Sequence, residues 1–280
     1  MKLFELRSKA AEALADAAVE RAGYTADLII SQTLSLNRIE LVTKKDENID
    51  SSLCDAVFAM VARRLKRVPL SYILGESEFY GHKFAVGPGC LIPRPETELL
   101  VESMLNLVKS GTFADWCTGS GCIGITILLE NAGFKGYGVD SSPEALAWAG
   151  KNTIIHGVDD RFSLILCSEP KNAGIEDGSL DFIIANPPYI PSREIESLMS
   201  DVRDYEPKEA LDGGIEGLDV FVKIIEAAPV LIKKGGYLGF ETAGDCQAEH
   251  LLKIVPECFV LTNKVHDYNG ILRHIIWQIS

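Results

Sequence analysis

Apolar residues recur at helical spacing through roughly the first 72 residues of the chain. Leu3, Leu6, Ala10 and Leu14 begin this pattern, which returns around residues 28–34 and 53–61. Val68-Pro69 ends it, because the residue before a proline disfavours a helical conformation. The pattern therefore predicts a small helical domain over residues 1–74, serving either as a packing or lid domain or as a module that recognises a partner.

Residues between Glu78 and Pro93 have a different character, typical of strands and turns. Phe79–Gly81 and Phe84–Val86 are β-like, and Gly87–Gly89 has the composition of a turn. We expect a β-hairpin linker over residues 75–93.

Short apolar strands and amphipathic helices alternate over residues 94–280, as in a doubly wound α/β domain. The predicted helices are 96–108, 123–131, 144–156 and 218–232. The predicted strands are 112–117, 137–140, 162–167, 180–185 and 237–241. These strands should form a parallel sheet, to which the β-rich stretch 271–279 adds an antiparallel edge.

The composition is that of an ordinary globular protein, and the charge argues against some partners. Hydrophobic residues make up 47% of the 280 residues, which is enough to bury a core. The formal net charge of −13 leaves no dominant basic footprint for nucleic-acid phosphates. The seven cysteines form no CxxC pair, which favours free thiols in a reducing compartment and no metal site. Charges near the N-terminus and the lack of a long apolar window predict a cytoplasmic protein without membrane association.

Two candidate ligand-binding segments follow the first two predicted strands of the sheet. Asp115–Gly121 is a glycine-containing turn that opens a helix toward a ligand, and Asp140 ends the next strand, where a carboxylate accepts hydrogen bonds from a ribose. Gly119, Gly121 and Gly124 also satisfy the bare dinucleotide pattern. These two segments alone therefore fit a nicotinamide enzyme almost as well as another adenosine-binding enzyme.

A third segment, Asn186-Pro187-Pro188-Tyr189, follows the strand 180–185 and favours one chemistry over the others. Two prolines remove two backbone donors and leave nearby carbonyl groups free to accept. The Asn186 side-chain oxygen and the Pro187 carbonyl can then accept from one NH₂ group, while Tyr189 offers a ring face to a planar group. The segment therefore predicts the aiming of a planar amine or amide nitrogen at an electrophilic methyl group. A rigid turn with a buried aromatic residue is the structural alternative.

With these residues in place, the sequence resembles the HemK-type protein-(glutamine-N5) methyltransferases, which modify peptide-chain release factors. The most specific motif is Leu91–Glu98, of sequence Leu-Ile-Pro-Arg-Pro-Glu-Thr-Glu. The resemblance extends over nearly the whole chain and includes Pro69–Gly75, Phe79–Gly81, Thr118–Gly121, Asp140, Asn186–Ile190, Glu206-Pro207 and Ala210-Leu211. The chain departs from the family pattern at Trp116-Cys117, Ser168-Glu169-Pro170 and Glu241-Thr242-Ala243, and none of these departures removes a group that the chemistry needs.

The resemblance implies a Rossmann-like methyltransferase domain at 94–280, S-adenosylmethionine as cofactor, and release factors of translation termination as protein substrates docked with help from the helices of 1–74. The acceptor would be the glutamine amide of a Gly-Gly-Gln motif, with no direct nucleic-acid substrate. The implied cofactor contacts are Asp115, Cys117, Thr118, Gly119, Ser120, Gly121, Asp140, Ser168, Glu169 and Asn186, with Asp140 at the ribose. The implied catalytic residues are Asn186, Pro187 and Tyr189. The implied substrate contacts are Asn186, Pro187, Pro188, Tyr189, Arg94, Pro95, Glu96 and Thr97.

Three alternatives remain open at this point. The enzyme rivals are a methyltransferase acting on a ribosomal-protein glutamine and an N6-adenine nucleic-acid methyltransferase, while a non-catalytic cofactor-sensing adapter belongs to another class. No histidine is nominated as a base, since the amide nitrogen becomes strongly acidic as it bonds to carbon. The five histidines are scattered and are interpreted as structural or surface residues, at positions 82, 156, 250, 266 and 274.

Overall fold

All 280 residues are described by a computed structural model, and they separate into two units. The first unit comprises Met1–Gly75 with Ser200–Tyr205, and the second comprises Glu76–Met199 with Glu206–Ser280. No sequence pattern predicts that residues 200–205 pack with the first unit. The boundaries drawn at 74 and 93, and the docking role of the first unit, stay predictions.

The elements are named in chain order. The helices are α1 Leu3–Asp16, α2 Ala22–Leu34, α3 Glu40–Thr43, α4 Ser51–Leu65, α5 Leu70–Leu74, α6 Glu98–Leu107, α7 Cys122–Glu130, α8 Pro143–His156, α9 Ser200–Arg203, α10 Asp219–Leu231 and α11 Asp245–Ile254. The strands are β1 Glu76–Phe79, β2 His82–Ala85, β3 Gly111–Trp116, β4 Phe134–Asp140, β5 Phe162–Leu166, β6 Leu180–Ala185, β7 Ile232–Glu241, β8 Phe259–His266 and β9 Leu272–Ile279. None of the helices combines the length and apolar character needed to cross a membrane.

The first unit is a helical bundle built as the apolar spacing predicts. Leu3, Leu6 and Leu14 on α1 are fully buried and pack with Ile29 on α2 and Val57 on α4. The short helix α9 is tied to α4 by an ion pair in which Arg64 Nη2 lies 2.6 Å from a carboxylate oxygen of Asp201.

The second unit contains a seven-stranded sheet of order β5-β4-β3-β6-β7-β9-β8. Strands β3 to β7 run parallel, and β9 is antiparallel to both β7 and β8. The chain moves outward from β3 to β5 and returns to place β6 on the other side of β3. The strand order therefore reverses between β3 and β6, where open α/β sheets bind ligands at the carboxyl ends of the strands.

The sheet is buried on both faces, which explains why its central strands are continuously apolar. On β6, Phe182 and Ile184 face one core, whereas Ile183 and Ala185 face the other, and all four are fully buried. The alternation follows from the two-residue period of a strand. The predicted doubly wound α/β fold is confirmed.

Two local predictions are wrong, and two elements were not predicted. The hairpin turn lies at Tyr80-Gly81, both at positive φ, and not at Gly87–Gly89. Strand β9 is antiparallel as expected, but it is inserted between β7 and β8 and is not the edge. The true edge strand, β8, and the helix α11 had not been predicted.

Candidate active site

The loop after β3 opens a helix toward the carboxyl edge of the sheet. Cys117 leaves the strand with a φ of 59°, and Gly121 caps α7 with a φ of 80°. At Gly119, with a φ of 56°, an added Cβ would have no neighbour nearer than the Cys117 carbonyl oxygen at 4.0 Å. The loop therefore leaves open space beside Gly119 for a ligand that approaches the backbone closely.

Asp115 lies behind this loop and holds it in place. One carboxylate oxygen accepts from the Thr118 hydroxyl at 2.6 Å and from the Gly124 N–H at 3.0 Å. Complete burial raises the pKa of Asp115 to about 7, although these two donors act in the opposite direction. The geometry makes Asp115 a support of the loop, and its direct contact with the cofactor stays a prediction.

Asp140 ends β4 and holds the same loop from the other side. Its Oδ2 accepts from the Gly119 N–H at 2.9 Å, and its Oδ1 accepts from the Ser142 N–H at 3.0 Å. Burial raises the pKa of Asp140, while the backbone donors partly oppose that shift. Each carboxylate oxygen has a further lone pair, so the side chain can accept additional hydrogen bonds from a bound polyol.

The two predicted cofactor contacts after β5 lie in different places, one in the cleft and one at the surface. Ser168 lines the cleft, whereas Glu169 is paired with Lys223, with its Oε1 2.6 Å from Nζ. Lys223 itself lines the cleft. A contact between Glu169 and the cofactor stays a prediction that the geometry does not favour.

Asn186 follows β6 directly and enters the cleft next to two buried prolines. Its side-chain nitrogen donates to the Thr97 hydroxyl at 3.2 Å. Tyr189 packs against the core beneath the cleft, and burial, with the charge of Glu241 as the next cause, raises its pKa to about 12. The phenol therefore stays protonated at neutral pH.

The Asn186–Ile190 segment is held in place by hydrogen bonds that its backbone carbonyl oxygens accept. Gln247 Nε2 donates to the carbonyl oxygens of Tyr189 at 3.0 Å and Gly217 at 2.9 Å. The Ile190 and Gly213 backbones are also joined, because the Gly213 N–H donates to the Ile190 carbonyl at 2.9 Å. No sequence motif predicts this role for Gln247.

The Leu91–Glu98 segment is fixed by two buried carboxylates that sequence reasoning had left without a role. Glu206 accepts from Arg94 Nη2 at 2.6 Å and from the Ile92 N–H at 3.1 Å. Glu241 accepts from the Thr97 hydroxyl at 2.5 Å. Glu206 stands in a motif shared with the family and Glu241 in a departure from the family pattern, but only the tertiary structure pairs them with residues more than a hundred positions away.

The structure brings most of the predicted residues together around one cleft. Those that line it are Arg94, Thr97, Cys117, Thr118, Gly119, Ser120, Asp140, Ser168, Asn186 and Pro188. Those that lie outside its lining are Pro95, Glu96, Asp115, Gly121, Glu169, Pro187 and Tyr189. All of these assignments to cofactor or substrate stay predictions.

Comparison with known proteins places the chain in a family. Residues 5–75 match the PrmC N-terminal domain, and residues 95–201 match the methyltransferase small domain. A release factor glutamine methyltransferase of Geobacter sulfurreducens is 39% identical over 95% of this chain and 93% of its own length. This chain belongs to the release factor glutamine methyltransferase family. Another member, from Nitratidesulfovibrio vulgaris, is 40% identical over 83% of this chain and 79% of its own length.

Solved structures of more distant proteins share the fold of this release factor glutamine methyltransferase family member. The hMettl16 catalytic domain, solved with the MAT2A 3′UTR hairpin 6, has a TM-score of 0.57 and covers 78% of this chain and 81% of its own. At 16% identity, this likeness bears on the fold alone.

Proposed function

We propose that the protein transfers a methyl group from S-adenosylmethionine to the amide nitrogen of the glutamine in the Gly-Gly-Gln motif of peptide-chain release factors. The observation that carries this proposal is the placement of Asn186. It follows β6 directly, lines the cleft beside the loop after β3, and points its amide nitrogen to Thr97. Its amide oxygen is thereby left to accept a hydrogen bond from a substrate.

The residues of the cleft fit an adenosylated sulfonium cofactor. The open space at Gly119 admits a closely approaching ligand, and Asp140 keeps lone pairs for ribose hydroxyls. We assign the methionine end to Cys117–Gly121, the ribose to Asp140 and the adenine side to Ser168. When bound, S-adenosylmethionine supplies a methyl group that is already activated by attachment to a positively charged sulfur.

The chain's own residues then have to prepare a weak nucleophile. An amide nitrogen is a poor donor of electrons because its lone pair is delocalised into the carbonyl. Asn186 Oδ1 and the Pro187 carbonyl accept the two N–H groups of the substrate amide, which increases electron density on the nitrogen and fixes its direction of approach. The new N–C bond replaces the C–S bond, whose electron pair stays on sulfur. The nitrogen becomes strongly acidic as it bonds to carbon and gives up one N–H proton to water. Pro187 and Pro188 have no backbone N–H, so this turn places no backbone donor in competition with the substrate amide. Tyr189, protonated at neutral pH, contributes its ring and not a base.

Recognition of the protein substrate is assigned to the cleft mouth and to the first unit. Arg94, held by Glu206, lies at the cleft and presents a positive charge near the acceptor segment. The helices of residues 1–74 would add a docking surface for the release factor. We further propose that the protein acts in the cytoplasm, without a membrane or a nucleic-acid substrate.

The test is transfer of labelled methyl from S-adenosylmethionine to purified release factor. A release factor whose Gly-Gly-Gln glutamine is replaced serves as the first control, and ribosomal protein and nucleic acid serve as rival acceptors. We expect label on the unaltered release factor only. Label on a rival acceptor alone would keep the methyltransferase chemistry and overturn the substrate assignment.

Replacing Asn186 by alanine separates chemistry from cofactor binding. Asn186→Ala removes the acceptor of a substrate N–H and should lower turnover by about 100-fold or more. Its dissociation constant for S-adenosylmethionine, measured by calorimetry, should change far less. Unchanged turnover in this variant would contradict the mechanism.

A further inference from the structure

A line of polar side chains runs from Asn186 into the protein, through Thr97 at the wall of the cleft. Asn186 Nδ2 lies 3.2 Å from the Thr97 hydroxyl oxygen, which lies 2.5 Å from Glu241 Oε2. His274 Nε2 lies 3.5 Å from the same carboxylate oxygen. Thr97 and Glu241 are each 2% exposed and His274 is fully buried, so the line behind Asn186 is shielded from water.

The hydrogen bonds in this line run in one direction, from Asn186 to Thr97 and from Thr97 to Glu241. Thr97 has a single hydroxyl proton, and it donates that proton to the Glu241 carboxylate. The side of the Thr97 oxygen that faces Asn186 is then a lone pair, which requires an N–H donor. The Asn186 amide is therefore held with its nitrogen toward Thr97 and its oxygen turned the other way.

Which end of an asparagine amide faces a ligand is set by its hydrogen-bond partners, because the two ends have nearly the same shape. In the reversed orientation Asn186 would present an NH₂ group to the NH₂ group of the substrate, donor against donor. Only the orientation that Thr97 imposes offers an acceptor.

Building on the proposed function, we infer that Thr97 and Glu241 are positioning residues that fix the Asn186 amide with its oxygen toward the substrate nitrogen. Thr97 acts through Asn186, and Glu241 acts through Thr97. His274 stands opposite Glu241 in the β7–β9 register, and its imidazole closes the far side of the carboxylate.

The decisive variant is Thr97→Val, which keeps the shape of the side chain and removes its hydroxyl. We expect kcat for release factor methylation to fall by about 10- to 100-fold, the range typical of residues that orient a site ligand. Thr97→Ser, which keeps the hydroxyl, should recover most of that rate. The dissociation constant for S-adenosylmethionine should change less than about threefold in both, because the hydroxyl is committed to Asn186 and Glu241.

A double-mutant cycle separates positioning from general damage to the fold. In an Asn186→Ala background, Thr97→Val should change kcat less than about twofold, because the group that Thr97 orients has gone. Thr126→Val is the matched control, since Thr126 is fully buried on α7 and its hydroxyl has no hydrogen-bond partner. This control should keep the kcat of the unaltered protein.

Glu241→Gln provides an independent route if Thr97→Val does not fold. A glutamine amide can donate to Thr97, which releases the hydroxyl to donate to Asn186 and allows the reversed amide. We expect kcat to fall by about 10-fold. Full kcat in both Thr97→Val and Glu241→Gln, or an equal loss with and without Asn186, would overturn the positioning role alone. Absence of transfer by the unaltered protein would overturn the proposed function, and the positioning role with it.

Discussion

Gly213 lies so close to the Asn186–Tyr189 loop that a larger residue has no room. A Cβ atom at residue 213 would lie 2.6 Å from the Pro188 carbonyl oxygen and 2.9 Å from the Gly217 Cα. Real Cβ atoms essentially never approach a neighbour to less than 3.0 Å. Both neighbours are backbone atoms, so no flexible side chain can move aside. Gly213→Ala therefore has to push the Pro188 carbonyl away by at least about 0.4 Å, the difference between 2.6 and 3.0 Å.

A displacement of this size should reach the substrate amide. Pro188 adjoins Pro187, whose carbonyl is assigned one of the two substrate N–H groups. A misplacement of about 1 Å costs roughly 100-fold in rate, so a shift of somewhat less than half that should cost about 10-fold. The loop at Cys117–Gly121 is untouched, so the dissociation constant for S-adenosylmethionine should stay within about twofold.

The assay is methyl transfer to release factor at saturating concentrations of both substrates, beside calorimetric cofactor binding and thermal unfolding. Gly150→Ala on α8 is the matched control, because its Cβ would meet nothing closer than Leu164 Cδ1 at 3.5 Å. The control should keep kcat. A Gly213→Ala variant that folds normally and turns over at the unaltered rate would contradict this prediction, and so would an equal loss of activity in both variants.

Three further substitutions test other parts of the site. Asp140→Asn places an NH₂ group where Gly119 or a ribose hydroxyl needs an acceptor, so S-adenosylmethionine affinity, measured by calorimetry, should fall by about 10- to 100-fold. Asp115 has a pKa of about 7 in the folded protein against 3.8 as its ordinary value. Between those pH values the unfolded chain loses its proton first, so the free energy of unfolding falls as pH rises. Asp115→Asn lacks this titration, so its free energy of unfolding relative to that of the parent should rise by up to about 4 kcal/mol between pH 4 and pH 7, as measured by denaturant titration. Glu206→Gln removes the charge that holds Arg94 and should lower the free energy of unfolding by about 2 kcal/mol, while raising KM for release factor.

The fold was predictable wherever burial imposed a strong pattern. Strand β6 is buried on both faces, and its apolar residues form the pattern that is typical of a central strand. Strand β8 is mostly exposed and α11 buries only Ala248 and Leu251, so neither carries a pattern that stands out from a loop. The hairpin turn was misplaced because Tyr80 adopts positive φ, which a non-glycine residue does only when the surrounding structure demands it.

The site was predictable as a set of loops but not as a set of side-chain directions. Chain order alone places the residues that end β3, β4 and β6 at one edge of the sheet. It cannot show that Glu169 turns to Lys223, or that Arg94 is held by Glu206. Such pairs join residues that are remote in sequence, and no periodicity connects them.

In the proposed assignment, different strands carry the residues for the methyl donor and for the acceptor, and the sheet register gives the reason. Trp116, Ala185 and Phe240 form one row across β3, β6 and β7, so the residues that follow them emerge together at the carboxyl edge. Asn186 thus has the Cys117–Gly121 loop on one side and Glu241 on the other. Substitutions on the β3 side should alter cofactor affinity, and substitutions at Glu241 should alter turnover. A Glu241 variant that weakens cofactor binding as strongly as it slows transfer would mean that this edge works as one pocket and not as two separable halves.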